Sequence, residues 1–471
     1  MSGGTAIGWF SPHPPIIIPA VGRGEEAQAA DTCAAMNEAA ALVANAHPDA
    51  IIIFGPHGPV FADAFTIAAP GRLQGSFAPF GAPKERVSVT IAADLTTAIM
   101  QRAEGADLPL YGLTLQLKQR LRLSPELDHG LLVPLWYLQQ AYGDRPLPPM
   151  VMINIAGLPL LQHYRLGSII QEAVAEGDRR VAIIGSGDLS HSLSKDAPAG
   201  YHPQAHRFDQ GVAELFSSQA VLGLLRLEEL APSAAECGFR PLVLFLGCFD
   251  GLAGRGQVLS YQAPFGVGYL VGVRHVAPGS GASWLDELIL SRQRQLQEQR
   301  HRESAPVRLA RSAVEQYVKA GELLATDLSQ WPADLPAKAG VFVSIKKHSQ
   351  LRGCIGTIEP TASTLQEEII QNARSAAGED PRFPPITADE LPELSYSVDV
   401  LGEIEPVKDV SDLDPVTYGV IVSARGRQGL LLPDLPGVNS AKEQVAIAKQ
   451  KAGLRPDEEV QLSRFAVTRW H

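Results

Sequence analysis

Val181-Ala182-Ile183-Ile184-Gly185-Ser186-Gly187-Asp188-Leu189-Ser190-His191 sets the fold class of the chain. An apolar run stops at two glycines and then presents an acid, a hydroxyl and an imidazole. A short continuous apolar run ended by glycine reads as a parallel strand buried on both faces. Residues just past such a strand lie at its carboxyl end, where open α/β sheets bind ligands.

On either side of this stretch the same arrangement recurs. Ile7-Gly8-Trp9-Phe10 leads to His13, and Ala50 to Phe54 leads to Gly55-Pro56-His57-Gly58. Three predicted strands each deliver a histidine at one end, and a parallel sheet brings those ends together. Neutral imidazole is the commonest protein ligand for a metal. Two histidines plus a carboxylate is the donor set of non-haem Fe(II) oxygenases.

The rest of residues 1–276 fits one α/β domain, a mostly parallel central sheet flanked by helices. Helical composition runs from about Gly24 to Ala46 and from Ala92 to Arg102. Val87 to Ile91 is β-rich. Asp128-His129-Gly130 precedes the apolar run Leu131 to Tyr137. Val151 to Ala156 reads as another buried strand with its helix at Leu166 to Glu176. Tyr201-His202-Pro203-Gln204-Ala205-His206 opens a helix, Pro241 to Gly247 begins an apolar one, and Tyr269 to Val273 closes the domain as a strand. His202 and His206 have the i, i+4 spacing of a helical metal pair, although a solvated helix face explains them more simply.

Residues 277–305 read as a linker, Pro278-Gly279-Ser280-Gly281 among them, followed by a polar helix from Leu285 to about Glu303. Residues 306–471 form a second domain. It carries a helix at Leu309 to Lys319 and strands at Val341 to Ile345, Ser397 to Leu401, Val420 to Val422 and Gly429 to Pro433. A polar turn precedes Leu351-Arg352-Gly353-Cys354-Ile355-Gly356-Thr357. Cys354 reads either as a reactive thiol or as a small residue packed in a strand, and Arg352 with Arg382 either as an anion site or as salt-bridge partners.

Bulk properties narrow the function. The chain has 471 residues, enough for at least two cores. With 45% hydrophobic and 19% charged residues it is globular. A net charge of -11 argues against nucleic acid or an anionic membrane surface as partner. No apolar run is long enough to cross a bilayer, and no signal peptide is apparent. The four cysteines form no CxxC pair, so a reducing, cytoplasmic setting is expected.

Ser11-Pro12-His13, Gly55-Pro56-His57-Gly58, Asp128-His129-Gly130, Asp188-Leu189-Ser190-His191 and Glu236-Cys237-Gly238 before Pro241 together make residues 1–276 resemble the class III extradiol dioxygenase (LigB-like) and Memo-like superfamily. The second domain resembles the AMMECR type, an α+β domain, through Leu351 to Gly356, Asp380-Pro381-Arg382-Phe383-Pro384-Pro385 and Gly429 to Pro433. The resemblance implies that His13 and His57 are metal ligands and that His191 is the acid or base handling a substrate proton. His129 would orient the substrate, and Asp188 would fix the tautomer of His191. Glu236 and Cys237 are both candidates for the third ligand. Glu236 suits Fe(II) and is slightly preferred, whereas Cys237 suits Cu or Zn. The implied activity is ring cleavage of a small catechol-type or phenolic aromatic with dioxygen. The alternative is a Memo-like metal-binding protein without ring cleavage, working with a radical-SAM partner. Homo-oligomers are expected by the same resemblance.

Overall fold

A computed structural model describes residues 3–69, 71–218, 220–324, 331–332, 335–347, 350–435, 438 and 440–470. The chain divides into two units between Gln293 and Arg294.

The first unit is built on ten strands: β1 (Gly4–Ser11), β2 (Ala50–Gly55), β3 (Phe65–Ala68), β4 (Arg72–Phe77), β5 (Ala82–Thr90), β6 (Leu110–Leu113), β7 (Met150–Asn154), β8 (Arg180–Ser186), β9 (Leu252–Gln262) and β10 (Tyr269–Ser280). Eight of them form one sheet in the order β6-β3-β7-β2-β8-β1-β10-β9, and β4 and β5 pair as a separate hairpin. At the centre, β1, β8, β2 and β7 run parallel. Every residue of β2 is buried. Of β8, all but Arg180 are buried.

Alternation along these strands feeds two cores, one on each face. Phe10, Ile52, Phe54, Val151, Ile153, Val181 and Ile183 join one core with the helices Leu160–Ala175, Ala205–Ser218 and Phe239–Gly247. Ile7, Trp9, Ile51, Ile53, Met152, Ala182 and Ile184 join the other with Ala30–Asn45 and His129–Tyr142. The continuous apolar reading of these segments therefore reflects a sheet covered on both sides.

The apolar run after His129 is a helix, His129–Tyr142. The segment read as the linker is partly strand: β10 continues to Ser280, which pairs with Leu252 of β9. The polar helix runs Leu285–Arg302, and Leu288 is buried in the first core.

The second unit is α+β. Strands β11 (Val341–Lys347), β12 (Gln350–Gly356), β13 (Leu394–Leu401) and β18 (Val467–Trp470) form a sheet in the order β12-β11-β13-β18. Strands β14 (Glu405–Val407), β15 (Gly419–Ala424), β16 (Arg427–Leu431) and β17 (Gln461–Phe465) form another, ordered β14-β17-β15-β16. Helices Ala305–Ala320 and Leu365–Gly378 pack on β11 and β13, and Ala441–Lys451 packs on β15 and β16. The polar turn expected before Leu351 falls at 348–349, outside the described residues.

Two glycines meet where β8 ends. Gly187, just past β8, lies against Gly238, just before the helix Phe239–Gly247. A Cβ on Gly187 would collide with the Gly238 Cα, and a Cβ on Gly238 would stand 2.7 Å from the Asp188 carbonyl oxygen. Without side chains at either position, the loop carrying Cys237 can close onto the end of β8. Gly238→Ala is therefore expected to cost about 1–3 kcal/mol, read as a lower urea midpoint. An unchanged midpoint would show that the loop does not depend on this contact.

Candidate metal centre

Parallel register decides which side chains meet. Gly185 pairs with Phe10 of β1 on one side and with Phe54 of β2 on the other. The three strands therefore end level with one another, and the residues beyond them converge. His13 follows β1, His57 follows β2, and Asp188 and His191 follow β8. The Nε2 atoms of His13 and His57 are 2.9 Å apart. The Cys237 sulfur lies 3.5 Å from His13 Nε2, and an Asp188 carboxylate oxygen 3.9 Å from it.

Protons on these rings can be assigned from their partners. The Ser186 hydroxyl donates its single proton to the Gly130 carbonyl. It must then accept from His13 Nδ1, 3.0 Å away. That fixes the proton on Nδ1 and leaves His13 Nε2 as a bare lone pair. Likewise His191 Nδ1 donates to the Ala235 carbonyl at 2.8 Å, leaving its Nε2 unprotonated. Asp188, expected to set the His191 tautomer, instead accepts the His13 backbone N–H at 2.8 Å. Nor is Asp188 a helix cap, since the next helix begins at Ala205.

Burial keeps the imidazoles and the thiol of the cluster neutral. It holds His13 well below the usual histidine range, with His57 and His129 adding to the effect. His57 is lowered to about 4, by burial first and then by His129 and His191. Burial raises Asp188 to about 7, against the His13 N–H that favours its ionised form. The Cys237 thiol is pushed well above its ordinary value by burial and by Asp188.

A metal fits this set on the chemistry of its donors. One ligand atom each from His13, His57 and Cys237 lie mutually within 4.8 Å, and so do those of Asp188, His191 and Cys237. Two neutral imidazoles and a thiol that a cation would deprotonate make a complete three-ligand face.

Other expected residues fall elsewhere. Glu236 does not join the cluster. Its carboxylate accepts the Phe239 N–H at 2.5 Å, at the start of the helix Phe239–Gly247. Of the two neighbours, Cys237 faces the histidines and Glu236 does not. His129 starts the helix His129–Tyr142 and stacks on His57, with ring centroids 4.5 Å apart. His202 accepts the Gln204 N–H ahead of the helix that holds exposed His206, so the two make no metal pair.

Two residues that sequence reading missed hold the site. Ser186 sets the His13 tautomer. Asp209 accepts from the Ser190 N–H at 3.0 Å and hydroxyl at 2.5 Å, and from the Tyr261 hydroxyl at 2.6 Å. It thereby anchors the Asp188–His191 loop. Ser186 was visible as the polar residue that ends β8; Asp209, inside a helix of mixed composition, carried no local signal.

In the second unit Cys354 sits mid-strand in β12. Ser344 donates to its sulfur at 3.3 Å, and its backbone N–H is taken by Asp380 at 2.8 Å. Arg382 pairs with Asp380 and with the Cys354 carbonyl, holding Asp380 at about 2. Arg352 is bidentate on Glu390. Both arginines are thus engaged in intramolecular pairs.

Comparison with known proteins gives the same division. The family model for the catalytic LigB subunit of aromatic ring-opening dioxygenase matches residues 8–272, over half of the chain. The chain belongs to the LigB family. A second model, AMMECR1, matches residues 307–470, so the C-terminal unit is an AMMECR1 domain. A protein of Clostridium acetobutylicum is 38% identical over 465 residues, covering 98% of both chains. A Thermotoga maritima protein is 46% identical over 166 residues, 35% of this chain and 95% of its own length. A solved uncharacterised protein from Pyrococcus horikoshii is 33% identical, covering 35% of this chain and 88% of that one at a TM-score of 0.33. No described helix of the LigB or AMMECR1 domain is long and apolar enough to cross a membrane.

Ser186→Ala frees the His13 ring. Metal affinity is expected to fall about 10–100-fold, the usual effect of losing a partner that orients a ligand, in a chelator-competition titration. Unchanged affinity would show that the hydroxyl does not set the tautomer.

Proposed function

We propose that the LigB domain holds a single ion through His13, His57 and Cys237 and acts as a Memo-like metal-binding protein without ring cleavage. The observation that supports this is the choice made at the third position. The Cys237 sulfur faces the histidines, while the Glu236 carboxylate is turned into a helix end. A thiolate beside two imidazoles suits Cu or Zn better than Fe(II). A bound ion would supply Lewis-acid or redox chemistry at an open coordination position. The protein's own groups do the rest. Asp188 ties the His13 backbone to the end of β8. His191, with Nε2 bare, is placed to take a proton from a ligand hydroxyl. The AMMECR1 domain is proposed as an accessory, and a radical-SAM protein as partner on the resemblance of the fusion alone.

Ring opening of a small aromatic by dioxygen at Fe(II) is the second reading. Asp188 favours it, because its carboxylate is a hard donor within reach of His13, with His191 beside it as acid or base.

Anaerobic metal analysis separates the two. One ion per chain is expected in the native protein and in Glu236→Gln, with loss in His13→Ala, His57→Ala and Cys237→Ser. An ion retained in Cys237→Ser but lost in Asp188→Asn, with oxygen uptake on adding catechols, would overturn the first reading in favour of the second. Full metal content in the His13 and His57 variants would end both.

A further inference from the structure

Away from the metal centre, beside the first core, the LigB domain contains a cavity of about 250 Å³. β1 runs towards the metal end, and its Phe10 pairs with Gly272 of β10. Arg274 stands two residues further back along β10, opposite Gly8, and lines the cavity. An engineered cavity of about 150 Å³ takes a benzene, so this one has room for a substituted ring or a short alkyl chain. Val221, Leu246, Phe249 and Leu252 give it apolar walls, and Trp284 joins them.

Arg274 decides what such a cavity takes. It is 7% exposed, and it is the one charged side chain among the described residues of the lining. Its place is built into the sheet. A Cβ on Gly8 would collide with the Phe249 ring, which fills the gap that this glycine leaves. The guanidinium carbon of Arg274 lies over the same ring, 5.1 Å from its centroid. The N–H groups of a guanidinium lie in its plane, so a ring against its face leaves them to other acceptors. Burial lowers the Arg274 pKa, opposed by Tyr164; the charge is held where the surroundings disfavour it. Asp250 is committed elsewhere. It accepts from the Tyr164 hydroxyl at 2.7 Å, the Ser283 hydroxyl at 2.6 Å and the Trp284 N–H at 2.6 Å. A cation withdrawn from water beside an apolar wall is stabilised by an anion brought to it, and the planar fork matches a carboxylate. One guanidinium balances one negative charge. The second charge of a phosphate monoester would be buried without a counter-ion.

We propose that this cavity is a second ligand site, separate from the metal centre, which takes a small monocarboxylate with its carboxylate on Arg274 and its apolar body against Leu246 and Leu252. The site does not depend on which ion, if any, the histidines hold.

The test uses the full-length protein and calorimetry with benzoate and hexanoate, each against its alcohol, and with phenyl phosphate. Both carboxylates are expected to bind more tightly than benzyl alcohol, hexanol and phenyl phosphate. Arg274→Met should weaken them by about 10–100-fold, the range for a hydrogen bond to a charged group. Arg274→Lys, which keeps the charge and loses the fork, should weaken them less. Ala253→Phe places a ring in the cavity and keeps Arg274; it should abolish binding of acids and alcohols alike. An unchanged far-ultraviolet circular dichroism spectrum shows that a variant folds, and if Arg274→Met does not, Arg274→Lys and Ala253→Phe decide. A carboxylate can also ligate a metal, so the titrations are repeated on His57→Ala, where the affinities should be the same. Four results overturn the proposal: no binding of either carboxylate, acids and alcohols binding equally, phenyl phosphate binding as tightly as benzoate, or affinity that follows His57 and ignores residues 253 and 274.

Discussion

β8 runs between β1 and β2 with one glycine, Gly185, in register with both neighbours. The rest of the site depends on that shared register. A strand buried on both faces leaves no room for polar side chains along its length, so they collect where it ends. Three such ends in register put His13, His57, Asp188 and His191 around one point. The Gly187–Gly238 contact then closes the site from a fourth direction by bringing in Cys237.

Hydrogen-bond supply sets the chemistry. The Ser186 proton has one destination, the Gly130 carbonyl, and that single commitment orders the proton of His13. Burial keeps the imidazoles neutral and Asp188 near the neutral range. Neutral imidazoles of this kind offer lone pairs to a cation.

Much of this was legible in the sequence, for a physical reason. Val181 to Ile184 and Ala50 to Phe54 are apolar without a break because both faces are covered, and the histidines follow directly because the strands stop there. The family assignment came from the same motifs. Less legible were features set by contacts between distant segments. Glu236 and Cys237 are adjacent, and only the fold shows which one turns inward. The tautomer role of Ser186 depends on Gly130, and the anchor Asp209 depends on Tyr261. The stretch read as a linker runs on as strand to Ser280 because β9 is there to pair with it.

Whether Cys237 completes the ligand set is decided by X-ray absorption at the metal edge of the anaerobically purified protein. Two imidazole nitrogens and one sulfur at about 2.3 Å are expected, the sulfur shell vanishing in Cys237→Ser. A first shell made only of nitrogen and oxygen, unchanged in that variant, would contradict a thiolate-completed centre.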